Sequence, residues 1–170
     1  LHVGRDPAAR LEDEVARVVR RALAEEAGSA LVFLPGASEI RRTADLLAAT
    51  VKDPAVNIVQ LFGALDRADQ DRAIEPAPAG RRKVVLATSI AETSLTIEGV
   101  RIVVDCGLAR VPRCEPDLGL TRLETVRVSR AAADQRRGRA GRTEPGVCYR
   151  LWEEAQEGAF PAYATPEILA

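Results

Sequence analysis

An α/β fold with a mainly parallel β-sheet flanked by helices is what this sequence predicts, and three observations predict it. Short, continuously apolar runs such as Ala30–Leu34 alternate with longer segments of helical periodicity. Continuous rather than alternating apolarity belongs to strands buried on both faces. Strands that alternate with helices of ten to twenty residues build right-handed βαβ units and so a parallel sheet. Finally, the 170 residues show no internal repeat and no low-complexity tract, and they suffice for one domain with a sizeable core.

In chain order, Leu1–Asp6 is polar and reads as irregular. Ala8–Ala27 carries Leu11, Val15, Val18, Val19 and Leu23 at helical spacing, with Gly28 placed to close the helix. Ala30–Leu34 predicts a buried strand, broken by Pro35-Gly36. Ser38 and Glu39 open a second helix that runs to about Val51. Val56–Leu61 is the next strand; residues 62–66 form a loop into a helix that carries Gln70 and ends before Pro76. Val84–Thr88 is a third strand, Ile90–Leu95 a short helix or turn, and Arg101–Asp105 a fourth strand. Residues 106–122, with Pro112, Pro116 and Gly119, read as a long loop, and Leu123–Val128 as an edge strand. A helix capped by Ser129 follows, then a strand over Gly146–Leu151. The polar, proline-bearing stretch 153–170 reads as a linker, which leaves residues 1–152 as the domain. In such sheets ligands sit beyond the carboxyl ends of the strands, so the loops after Leu34, Leu61, Thr88 and Leu151 are where a site is expected.

Net charge is only −1, but it is unevenly spread. Residues 121–150 hold eight arginines against three acids, which leaves the remainder of the chain at −6. One basic face directed at phosphate is implied. Of 24 basic residues only Lys52 and Lys83 are lysine, a bias consistent with GC-rich coding. The three cysteines form no Cys-x-x-Cys pair and His2 is the one histidine, so a metal site is not expected. An odd cysteine count fits a reducing, cytoplasmic setting. No apolar run reaches membrane-spanning length and no signal peptide opens the chain, so no membrane partner is expected. A first residue of Leu rather than Met reads as a piece of a longer protein.

The chemistry concentrates in Gln135-Arg136-Arg137-Gly138-Arg139-Ala140-Gly141-Arg142. If the helix ends near Arg137 and the chain turns at Gly138, Arg139 and Arg142 lie three apart and can converge on one point. Guanidinium is permanently charged and planar, with donors that fork onto phosphate oxygens. With the Gln135 amide, two such arginines could stabilise a transferring phosphoryl group and orient a water. Residues of this type serve also as a nucleic-acid backbone contact or as a salt-bridged surface. A second cluster, Ala87–Gly99, places five hydroxyls in the nine positions 88–96 directly after a strand. Hydroxyls there are poor core material, and outside a functional role they would serve as helix caps and local backbone partners. No Gly-x4-Gly-Lys-Ser/Thr loop and no Asp-Glu-x-His run occurs, so the chain lacks a phosphate cradle of its own.

The arginine run resembles the last motif of superfamily 2 helicases, Gln-Arg-x-Gly-Arg-x-Gly-Arg. Leu31–Ile40 and Val84–Asp105 resemble two further motifs of DEAH-box helicases, in the same order. The whole is similar to the bacterial HrpB type, over nearly the entire chain. This resemblance implies a RecA-like three-layer domain, the second of two lobes, which donates arginine fingers to ATP and Mg²⁺ bound mainly by the N-terminal RecA-like lobe of the same polypeptide. It implies catalytic roles for Arg139, Arg142 and Gln135. Ser94, Thr96 and Glu98 would face the nucleotide, as would Ile74, where many relatives carry a base-stacking aromatic. Gly36, Ala37, Thr88 and Ser89 would contact single-stranded nucleic acid, with RNA the expected substrate. The reading set against it is a non-catalytic nucleic-acid-binding module that uses Arg136–Arg142 electrostatically; a third is a surface that pairs with an acidic protein.

Overall fold

The computed structural model describes residues 1–5, 8–62, 68, 71, 75, 77–92, 97, 99–115, 117, 119–140 and 146–162. The elements run α1 (Leu11–Glu25), β1 (Ser29–Phe33), α2 (Ala37–Thr50), β2 (Val56–Leu61), β3 (Arg82–Ala87), a 3-10 turn (Ser89–Ala91), β4 (Val100–Asp105), β5 (Leu108–Glu115), β6 (Leu120–Arg127), α3 (Arg130–Arg137), β7 (Val147–Arg150) and a second 3-10 segment (Glu154–Ala159). Five strands form one sheet in the order β2-β3-β1-β4-β7, every pair parallel.

The central strands are apolar throughout because both of their faces are covered. Ala30, Val32, Leu34, Val84, Leu86, Ile102 and Val104 point to one side and meet Val15, Val18, Val19 and Ala22 of α1 and Ile40 and Leu47 of α2. Leu31, Phe33, Val85, Ala87 and Val103 point to the other, with Ala91, Ile97 and Ala140. This two-residue alternation divides one continuous hydrophobic run between two cores. Arg82 closes the carboxyl end of α1: its guanidinium donates to the carbonyls of Leu23 (2.9 Å), Glu26 (2.6 Å) and Gly28 (2.8 Å). Gly28 itself stands at φ +93°, a left-handed turn in which a side chain is strained.

Two expectations are corrected. Residues 106–122 are not a loop: Leu108–Glu115 and Leu120–Arg127 pair antiparallel as a two-stranded ribbon outside the main sheet. Pro112 argued against a strand, yet each strand of a two-stranded ribbon is an edge, where a residue without an N–H can sit away from the ladder. Nor are Leu1–Val3 irregular. The Val3 N–H donates to the Arg150 carbonyl at 2.8 Å and the Arg150 N–H to the Leu1 carbonyl at 2.7 Å, which extends the sheet beyond β7. The segment expected to form a helix around Gln70 lies largely outside the described residues.

Residues 153–162 pack against the domain. Phe160 is buried with Trp152, Val128 and Ala133, its ring 5.3 Å from the indole. The carbonyls of Pro161 and Ala162 accept the first N–H groups of α3, from Arg130 (2.8 Å) and Ala131 (3.1 Å). Glu157 accepts from His2, Arg150 and Trp152. These bonds, that from His2 first, hold its carboxyl down to about 2. Phe160→Ala should therefore cost about 3 kcal/mol, the loss expected of a buried aromatic, read as a fall in the urea midpoint at unchanged slope. An unchanged midpoint would mean that the segment is a loose tail.

Candidate functional site

The arginine run begins on α3, which Ser129 starts by accepting the Ala132 N–H on its hydroxyl at 3.0 Å. Four arginines in a row of seven suggest a uniform basic patch, but among the described residues Arg136, Arg137 and Arg139 have sharply different surroundings. Arg136 has no exposed surface. Its Nη1 donates to Asp105 Oδ1 at 2.8 Å, its Nε to Glu92 Oε1 at 2.7 Å and its Nη2 to Ser89 Oγ at 3.1 Å. Its Cζ lies 4.8 Å from the centre of the Phe33 ring. Burial alone would lower its pKa; the Asp105 carboxylate leads the charges that outweigh burial and hold it above its ordinary value. Asp105 ends β4 and is itself fully buried; its Oδ1 also accepts the Gly107 N–H at 2.9 Å.

Arg139, two residues past the end of α3, grasps the same 3-10 turn from another side. Its Nε and Nη2 both donate to the Glu92 carbonyl. Glu92 is thus held twice, its side chain by Arg136 and its backbone by Arg139. Gln135 and Arg137 are exposed. Arg142, Ser94, Thr96, Glu98 and Ile74 lie outside the described residues.

The four residues expected at nucleic acid do come together. Gly36, Ala37, Thr88 and Ser89 line one cleft of about 380 Å³ at the carboxyl ends of β1 and β3, along with Pro35, Ser38, Arg110 and Leu123. Its far wall is the β5–β6 ribbon. Arg110 of β5 meets Glu39 of α2 fork to fork, Nη1 to Oε1 and Nη2 to Oε2, both at 2.9 Å. Burial pushes the Glu39 carboxyl up, but hydrogen bonds, led by that from Arg110, leave it below its ordinary value. Cys106 and Cys148 are pushed up to about 11 by burial and so stay protonated at neutral pH, which removes them as nucleophiles. Among the described residues no group of three His, Cys, Asp or Glu could hold a metal ion, and no helix is long and apolar enough to cross a membrane.

This geometry has counterparts. The profile of the family described as the helicase conserved C-terminal domain matches residues 11–144. The ATP-dependent RNA helicase HrpB of Escherichia coli is 52% identical over 160 residues, 94% of this chain and 20% of the relative. Mouse DHX34, a probable ATP-dependent RNA helicase, is 47% identical over 145 residues, 85% of this chain and 13% of the relative. A crystal structure of E. coli HrpB superposes with a TM-score of 0.92 at 50% identity, covering 99% of this chain and 21% of that one. The chain belongs to the helicase C-terminal domain family, in its DEAH-box branch. It spans about a fifth of the length of HrpB. The five-stranded parallel sheet is accordingly the RecA-like sheet of a helicase lobe.

Reading the lobe's sequence does not single out three of the residues that build this site. Arg136 is hidden among the other arginines. The signal was its place on the inward face of α3, three residues after the buried Ala133, where helical periodicity calls for a hydrophobe. Glu39 looked like a first-turn acid of α2, and Arg110 fell within the stretch read as a loop. Removing one partner of a fully buried ion pair leaves a charge uncompensated. Asp105→Asn should therefore destabilise the helicase lobe by about 3 kcal/mol or more. Asp134→Asn, which removes the largely exposed partner of Arg150, should cost under about 1 kcal/mol. Urea unfolding of both variants checks this; similar losses would show that Arg136 does not depend on Asp105.

Proposed function

We propose that this chain is the second RecA-like lobe of an ATP-dependent RNA helicase. In this reading it completes an ATP site carried by an N-terminal lobe of the same polypeptide and contacts single-stranded RNA through its own cleft. The observation that carries the reading is the double grip on the Ser89–Glu92 turn. Two arginines from one motif hold a turn whose hydroxyl end, Thr88 and Ser89, opens onto the cleft. Events at the arginines and events in the cleft therefore share one rigid element.

Arg139 and Arg142 are the fingers. The guanidinium of each carries a fixed positive charge toward the charge that develops on a transferring phosphoryl group, Arg139 from its anchorage on the Glu92 carbonyl, and Gln135 orients the attacking water. ATP with Mg²⁺ on the first lobe supplies the phosphoryl chain to be cleaved. No metal step is assigned to the residues of this lobe. Gly36 and Ala37 present backbone N–H groups at the start of α2, while Thr88 and Ser89 present hydroxyls to the sugar-phosphate chain. Ser94, Thr96, Glu98 and Ile74 are assigned to the nucleotide by resemblance to the family. A simple electrostatic module fits less well, because full burial removes Arg136 from any contact with phosphate.

Replacing Arg142 by Lys keeps the charge and loses the fork. In the two-lobed helicase, kcat for ATP should fall about 10³-fold, while RNA affinity and its salt dependence change little, since the number of cations is unchanged. Steady-state ATPase rates and a salt titration on one preparation check both halves. ATP hydrolysis at the parent rate would remove Arg142 as a finger.

A further inference from the structure

The ribbon that walls the cleft shares no ladder with the main sheet; backbone ties it only at its base, where the Val128 N–H donates to the Gly107 carbonyl at 2.9 Å, so side chains help determine where its outer length stands. One guanidinium makes much of that connection. Arg110 reaches Glu39, 71 positions away in sequence, and also donates from Nε (3.3 Å) and Nη2 (3.2 Å) to Thr125 Oγ1 on β6. Helix α2, β5 and β6 therefore meet at a single planar group.

Gly36 makes room for this arrangement. Its backbone is fully extended, at φ −164° and ψ 177°, a conformation open to any residue. Backbone freedom therefore does not explain a glycine here; space does. A Cβ at position 36 would stand 2.5 Å from Arg110 Nη1 and 3.0 Å from Glu39 Oε1. The obstructing atoms are the ends of flexible side chains, so an added methyl would displace the ion pair rather than the backbone. Leu123, 67% exposed on β6, lines the same cleft, and its position follows the ribbon's.

We propose that Gly36, Glu39 and Arg110 form a latch that fixes the β5–β6 ribbon across the cleft and sets the width of the single-stranded RNA path. Arg110 is a positioning residue that acts through Glu39. Its charge is already matched by a carboxylate with ideal bidentate geometry, so the pair offers RNA almost no net charge. The inference rests on the reading of the cleft as the RNA surface.

The test uses the intact two-lobed helicase and a fluorescein-labelled oligouridylate, with Kd measured across a salt series. Glu39→Gln breaks the pair and makes the cleft more positive. The latch nevertheless requires weaker binding, by about tenfold, at an unchanged salt slope. Gly36→Ala, which displaces the pair without altering any charge, should weaken binding by a similar factor. The double variant should be no worse than the weaker single one, since both open the same latch. Tighter binding by Glu39→Gln, with the slope steeper by about 0.7, would make Arg110 a direct phosphate ligand and overturn the latch. Additive losses in the double variant would overturn it as well. Thr88→Ala separates this failure from that of the underlying reading. If Thr88→Ala weakens binding while Glu39→Gln tightens it, only the latch fails. If Thr88→Ala leaves Kd unchanged, the cleft is not the RNA surface, and the latch falls with that reading.

Discussion

A guanidinium with no exposed surface holds this lobe in its working shape. Taking Arg136 and Asp105 out of water costs several kcal/mol per ion, and attraction between them offsets this only with excellent geometry and with the remaining donors satisfied. Arg136 meets both conditions for its own donors, while Asp105 Oδ2 stays buried with no hydrogen-bond partner among the described residues. Besides Asp105, Arg136 finds Glu92, Ser89 and the face of Phe33. These partners come from β1, the 3-10 turn after β3, and β4, so the group can be satisfied only when helix, sheet and turn adopt one arrangement. Removing either partner would leave a buried charge uncompensated, so the arrangement that pairs the two is the one the site is built on. It aims α3, and with it the chain that follows Gly138, at the Ser89–Glu92 turn.

That turn then links two surfaces. On one side it takes Arg139 through the Glu92 carbonyl; on the other, Thr88 and Ser89 open onto the cleft beside Gly36 and Ala37. Coupling between two ligand surfaces requires an element whose position both can bias, and the turn is such an element. The turn is short, rigidly bonded and placed at the carboxyl ends of the parallel strands, where α/β sheets bind their ligands. Opposite it, the β5–β6 ribbon closes the cleft through Arg110 and Glu39. The cleft therefore has one wall tied to the arginine motif and another tied to helix α2.

The central sheet was legible because continuous apolar runs have one common explanation in a domain of this size. Ala30–Leu34 and Val56–Leu61 fell within a residue of the strands that form. Ser129 was legible as a cap because a hydroxyl before a run of alanines has an evident local use. Where contributions are non-local, the reading stopped. Pro112 and Gly119 are breakers by local chemistry, and only the pairing of residues 108–115 with 120–127 makes the ribbon. The burial of Arg136 depends on Asp105, which lies 31 positions away, and nothing in the run of arginines distinguishes one that is satisfied inside from one that reaches a phosphate. Gly36 shows the same limit: in sequence it reads as a strand breaker and a nucleic-acid contact, while the ion pair it leaves room for is assembled from residues 39 and 110.

Two neighbouring arginines divide by role: Arg136 builds the site, and Arg139 is the one proposed to act in it. Urea unfolding of Arg136→Lys and Arg139→Lys, measured side by side on this chain, tests that division most directly. A lysine at 136 can reach at most part of the set formed by Asp105, Glu92 and Ser89, so its midpoint should fall by the equivalent of about 3 kcal/mol or more. A lysine at 139 can still donate to the Glu92 carbonyl, and its loss should stay below about 1 kcal/mol. Equal losses, or a larger loss at 139, would contradict the assignment of Arg136 as the structural centre of the lobe.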